Sequence, residues 1–164
     1  MTNYFYDNPL HAQTTRTEAF SSDGKKLTSI TTYPQDYATG TTFLDNLITM
    51  HNIVPVEKVQ MEKLADSTVH ITGGSVTEYT TGGKGLVSDV YQLEKVAPVP
   101  LSGFKFSNAA SGNLPVYPAS FSYLKDSRYK LKASVTSYDQ WDNPAEVSVP
   151  DGTKTCYIWG YSNQ

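Results

Sequence analysis

The sequence predicts a mainly β fold: antiparallel strand-turn-strand hairpins repeated into a twisted sheet, with one short helix near residues 42–51. Three observations predict it. A five-residue pattern, Ser-[Ile/Val]-Thr-x-Tyr, occurs at Ser29–Tyr33, Ser75–Tyr79 and Ser134–Tyr138, and its side chains alternate with the period of two expected of a half-buried strand. Asp23-Gly24 lies ten residues before Tyr33, and Asp151-Gly152 lies ten before Tyr161; Asp-Gly between alternating segments marks a hairpin because glycine accepts a positive φ. Twelve Tyr, six Phe and two Trp stand among the 164 residues, and Tyr, like the abundant Thr, suits a pleated surface.

Each hairpin unit then reads as Tyr, turn, strand, Asp-Gly turn, strand, next Tyr. The first runs from Tyr6-Asp7-Asn8-Pro9 through Thr14–Phe20 to Tyr33, and the last from Tyr138-Asp139 through Glu146–Val149 to Tyr161. Breaker clusters after Tyr33, Tyr79 and Tyr138 end their strands. Between the outer units, Val56–Met61, Val69–Ile71 and Leu86–Leu93 read as further strands. Phe43, Leu44, Leu47 and Ile48 share one helical face, Thr42 with Asp45 resembles a capping box, and Pro55 follows soon after. About ten residues make a marginal isolated helix, so its apolar stripe must dock on the sheet. Residues 98–128, with Pro98, Pro100, Pro115 and Pro118, divide the chain as a surface loop or subdomain connection. In that region Phe104, Phe106, Phe121 and Tyr123 suggest edge strands. The expected organisation is thus 1–97 hairpin repeats with a helical insertion, 98–128 the Pro-rich connection, and 129–164 a truncated hairpin unit.

Composition narrows the function. The net charge of -3 removes the electrostatic case for nucleic acid. No apolar run approaches the roughly 18 residues of a membrane span, and Met1-Thr2-Asn3-Tyr4 has neither the basic nor the apolar region of a secretory signal. The lone cysteine, Cys156, forbids an internal disulfide and reads as a small buried thiol.

Motifs that could carry chemistry each have a plainer reading. Gly82-Gly83-Lys84-Gly85 lacks the Gly-Lys-[Ser/Thr] order and following helix of a phosphate loop, and reads as a hairpin turn. His11, His51 and His70 have no ligand spacing. Asp139, Asp142, Asn143 and Asp151 gather oxygens around one hairpin, yet without the Asp-x-Asp-x-Asp-Gly order of a calcium loop. Glu57, Glu62, Glu78, Glu94 and Glu146 read as solvated strand positions. No catalytic residue, metal site or cofactor is therefore expected. Trp141, Trp159, Tyr157 and Tyr161 are the candidate ligand platform, while Tyr33, Tyr79 and Tyr138 read as a ladder of equivalent rings passing from unit to unit.

The unit resembles the YD repeat of RHS-type proteins, in the divergent form of large bacterial surface proteins of the Bacteroidetes type. Tyr138-Asp139, Asn143-Pro144, Glu146-Val147, Asp151-Gly152 and Tyr157-Ile158-Trp159-Gly160-Tyr161 carry the resemblance, with Tyr6-Asp7-Asn8-Pro9 and Asp23-Gly24 as a second unit. Asp142-Asn143 stands where the family places Gly-Asn, so this turn departs from the pattern. The resemblance implies a structural or interaction module, a non-enzymatic fragment of a cell-surface or secreted protein. Its implied partners are the neighbouring repeats of the parent chain, with glycans or another protein beyond them, and an edge-strand dimer through the last strand. The competing expectation is a carbohydrate-binding module built on the exposed aromatic rings.

Overall fold

The computed structural model describes residues 1–117 and 121–160. Ten strands form one antiparallel sheet: β1 Thr2–Phe5, β2 Arg16–Phe20, β3 Lys26–Thr32, β4 Glu57–Lys63, β5 Val69–Tyr79, β6 Val87–Leu93, β7 Val99–Pro100, β8 Tyr129–Tyr138, β9 Pro144–Ser148 and β10 Lys154–Cys156. Their spatial order follows the chain except that β7 pairs with the first half of β5, leaving β8 beside β6. Near-sequential neighbours of this kind are what short hairpin turns produce. The mainly β architecture is the one the alternating pentapeptides predict, and the one α-helix among the described residues, Thr42–Thr49, falls within the expected 42–51. β1 carries no such pattern and was not foreseen; β5 joins two expected strands through Thr72-Gly73-Gly74, where the β4 register shifts.

The three Ser-[Ile/Val]-Thr-x-Tyr segments close β3, β5 and β8, every second strand of the sheet, so their tyrosines lie at one end of it. Two strand spacings separate successive tyrosines, about 10 Å, too far for rings to stack. The expected ring ladder is therefore replaced by a set of hydrogen bonds. Tyr33 donates to the Thr14 carbonyl at 3.2 Å, Tyr79 to Pro55 at 2.7 Å, and Tyr138 to Val87. Each acceptor lies at or just before the start of the preceding neighbour strand.

The opposite end is closed by three five-residue turns of one geometry. In Ser21–Lys25, Leu64–Thr68 and Val149–Thr153, the first residue's N–H bonds the fifth residue's carbonyl, and the fourth residue's N–H bonds back to the first. The fourth position has positive φ: Gly24 at 79°, Ser67 at 69° and Gly152 at 87°. Both expected Asp-Gly turns are here, and Asp66-Ser67 is a third whose serine hides it from inspection.

One face of the sheet is covered. Ile30, Val59, Met61, Ile71, Val76 and Leu93 meet Phe104, Phe106 and Ala109 from the segment between β6 and β8. Among the described residues of 98–128 only Val99–Pro100 is a strand; the chain crosses the sheet face instead of extending its edge, so the expected edge strands at Phe104, Phe106, Phe121 and Tyr123 are absent. Both rings are fully buried and meet edge-to-face at 5.1 Å, each burial stabilising by roughly 1.5–3 kcal/mol. Pro118 lies outside the described residues.

The helix α1, Thr42–Thr49, packs Phe43, Leu44 and Leu47 against Tyr37, Val56 and Tyr79 at the tyrosine end. Its N-cap is Thr41, not Thr42, and Asp45 accepts the Gly40 N–H at 2.9 Å instead of closing a capping box. Gly85, at φ 59°, is held against this helix: a Cβ there would lie 2.6 Å from Leu47 Cδ2. Gly82–Gly85 is the β5–β6 turn, closed by the Thr80 N–H on Leu86 at 2.7 Å.

Candidate functional site

Two buried polar clusters join the covering segment to the sheet. The first centres on Glu57, which shares its strand face with Val59 and Met61 and is 1% exposed. The expectation of a solvated glutamate fails here because the phase of the apolar residues carries Glu57 inward. Its Oε2 accepts from the Ser107 N–H at 2.8 Å and hydroxyl at 2.6 Å, and its Oε1 accepts from Tyr129 at 2.7 Å. Since Ser107 spends its proton on Glu57, it accepts from Tyr37, which in turn accepts from Thr32, both at 2.7 Å. Thr32 Oγ1 also receives the Glu57 N–H at 3.2 Å. The order of every proton is fixed by its neighbours. Desolvation pushes the Glu57 carboxyl above its ordinary value, against the opposing pull of the Ser107 and Tyr129 hydrogen bonds. Burial raises the phenols around it, Tyr37 well above the usual range and Tyr129 likewise; Tyr79, beside the helix, is pushed up to about 12.

The second cluster centres on Asp36, in the 3-10 turn Pro34–Asp36 that follows β3. Asp36 Oδ1 accepts from Asn8 at 2.5 Å and His11 Nε2 at 3.0 Å, Oδ2 accepts from the Tyr33 N–H at 2.8 Å, and its carbonyl accepts from Asn108 at 3.0 Å. A buried carboxylate-histidine pair invites a general-base reading. The second nitrogen answers it: His11 Nδ1 faces the Gln13 N–H at 3.2 Å, and the ring lies edge-on to Tyr33 at 4.9 Å. Both nitrogens are occupied and the side chain has no solvent access, so the imidazole has no place for a substrate proton. Asn8, Asp36 and Asn108 gave no motif, and burial of a polar residue is the one property that spacing does not reveal.

The remaining candidates are dispersed. His51, at φ 53°, follows the Met50 C-cap of α1, and His70 lies on β5. Asp139 accepts the Trp141 and Asn143 N–H groups at 2.8 and 2.9 Å, whereas Asp151 accepts Thr153 at 2.8 Å at the other end of β9. These carboxylates serve their own turns and do not converge. Among the described residues, no group of three or more His, Cys, Asp or Glu could hold a metal. Cys156 is exposed, not buried, because no layer covers the last hairpin; its Sγ lies 4.0 Å from Glu146 Oε2.

Of the four platform residues, Tyr157 and Trp159 come together. The two residues are 46% and 45% exposed, and their rings stack at 6.2 Å with 26° between planes. The Tyr157 N–H bonds the Ala145 carbonyl at 2.9 Å, and Trp159 Nε1 bonds Pro144 at 2.8 Å, fixing the pair beside β9. Trp141 is exposed in the β8–β9 turn, and Tyr161 lies outside the described residues. No helix among the described residues is long and apolar enough to cross a membrane. Comparison with protein-family models, curated proteins and solved structures finds no match to the chain.

Proposed function

We propose that the chain is a non-catalytic structural and interaction module, part of a larger YD-repeat-like cell-surface or secreted protein whose adjacent repeats continue its sheet. The observation that carries this reading is the recurrence of one tyrosine arrangement on β3, β5 and β8, each phenol tying its strand to the start of the one before. Recurrent cross-strand bonds are a means of building a sheet, not of turning over a substrate. The buried polar clusters agree, since the polar atoms of Glu57, Asp36 and His11 are engaged by groups of this chain. The last hairpin, exposed along residues 149–160, offers backbone and aromatic surface to a neighbouring repeat.

Hydrogen exchange tests this reading. The β10 amides should exchange much more slowly in the intact cellular product than in the isolated chain, and protease shaving of whole cells should release peptides of this sequence. Equal exchange in both forms, with peptides recovered only after lysis, would reject it.

A second reading is favoured by the exposed stack of Tyr157 and Trp159: a carbohydrate-binding module that seats a sugar ring on these faces. Glycan-array binding lost in Trp159→Ala and Trp141→Ala proteins would establish it. Retained binding in both would remove it.

A further inference from the structure

We infer that the concavity where β6 ends and β8 begins binds an acidic, extended peptide segment of a partner protein. The concavity is about 1060 Å³, and its rim carries Lys95, Arg128, Lys130 and Lys132, with Glu94 the one carboxylate among its lining residues. The whole chain has a net charge of -3, so this rim opposes the sign of the molecule and directs an acidic ligand to one place.

The cations divide into fixed and available ones. Arg128 forks onto Asp126 with two 2.8 Å bonds and donates to the Gly103 carbonyl, and Lys132 is paired with Glu94 at 2.5 Å. Among the described residues no carboxylate lies within ion-pair distance of Lys95 or Lys130; the Lys130 ammonium reaches the Ser127 carbonyl at 3.1 Å and acts on Glu94 only at longer range. Two lysines outside any ion pair, beside a rigid guanidinium, suit carboxylates spaced along an extended chain. Leu93, Val96, Ala97 and Val99 supply an aliphatic part of the lining, Leu93 and Val99 buried and Val96 fully exposed. This aliphatic lining fits the apolar side chains that alternate with acidic ones in an extended peptide. Among the described residues no aromatic ring lines the concavity, so nucleobases and sugar rings find none of them there to stack on.

The test is fluorescence anisotropy with a labelled peptide of alternating glutamate and leucine, with a lysine-leucine peptide and heparin as the other arms. The glutamate-leucine peptide should bind saturably, and its affinity should fall about tenfold between roughly 50 and 300 mM salt. Lys95→Glu/Lys130→Glu should weaken it about tenfold or more while leaving the thermal melt unchanged, because both side chains are on the surface. Binding equal in the double variant, no binding of the glutamate-leucine peptide, or tighter binding of heparin than of that peptide would each overturn the assignment. The proposal stands apart from the sheet-module reading: exchange at β10 and peptide binding at this rim can fail separately.

Discussion

Tyr129 donates its phenolic proton to Glu57 Oε1 at 2.7 Å, and it reaches that carboxylate across Gly74, where a Cβ would lie 2.6 Å from the phenolic oxygen. β8, β5 and β4 are thereby coupled through one absent side chain. Gly74→Ala should cost about 2–3 kcal/mol, by displacing the ring and leaving the buried carboxylate short of a donor. The same change should cost less in a Tyr129→Phe background, where the clashing oxygen has gone. A double-mutant cycle in urea measures this coupling; additive costs would show that the two residues act independently.

Glu57 makes stability depend on pH in a defined direction. Burial raises its carboxyl from the ordinary 4.5, so the folded chain holds this proton more tightly than the unfolded chain. As pH climbs from the unfolded value to the folded one, the folded state binds more protons and stability declines. Below and above that window the contribution is constant. Glu57→Gln keeps the shape, and Tyr129 can turn its hydroxyl to accept from the new amide. The variant should therefore gain stability relative to the parent between about pH 4 and pH 8. Urea midpoints at the two pH values check this, and an unchanged difference would remove Glu57 as the source.

The same residue marks where sequence reading succeeds and where it stops. Alternation identified β3, β4, β6, β8 and β9, although only in β3 and β4 does one side face the core and the other water along the strand; β9 is half-buried throughout. Alternation also contained the clue to Glu57, which keeps the phase of Val59 and Met61, but the charge argued for solvent. Cys156 failed in reverse: it sits in an apolar, aromatic run, yet nothing covers β10. Phe104 and Phe106 were legible as packed residues but not as a layer, since a chain crossing a sheet has no period. Asp36, Asn8 and Asn108 meet from three distant segments, and no local pattern encodes such a meeting.

The Asp66-Ser67 turn shows how a small chemical difference conceals a shared geometry. Ser67 sits at φ 69° where Gly24 and Gly152 sit in the equivalent turns. A side chain in this region costs roughly 1–2 kcal/mol, partly offset by about 0.5–1 kcal/mol from the greater freedom of unfolded glycine. Ser67→Gly should therefore stabilise by about 0.5 kcal/mol. Gly24→Ala and Gly152→Ala should each destabilise by about 1 kcal/mol, with no steric contribution because nothing lies within 4 Å of a Cβ at either site. Thermal melts of the three variants suffice, and destabilisation by Ser67→Gly would refute the shared conformation.

The tyrosine set separates a recurring bond from its surroundings. Tyr33, Tyr79 and Tyr138 each donate one hydrogen bond to a backbone carbonyl, so Tyr→Phe should cost a similar amount at each, about 0.5–1.5 kcal/mol. Removing the rings should break that similarity. Tyr79 packs with Phe43, Leu44 and Leu47 under α1, and Tyr79→Ala should cost about 3–5 kcal/mol. Tyr138 is half-buried on a strand with no covering layer at that end, and its alanine variant should cost about 1–2 kcal/mol. Denaturant titration of the five variants distinguishes the two effects. A Tyr→Phe change that costs nothing at one position and several kilocalories at another would mean that the three phenols have unrelated roles, and the case for one arrangement used three times would fall with it.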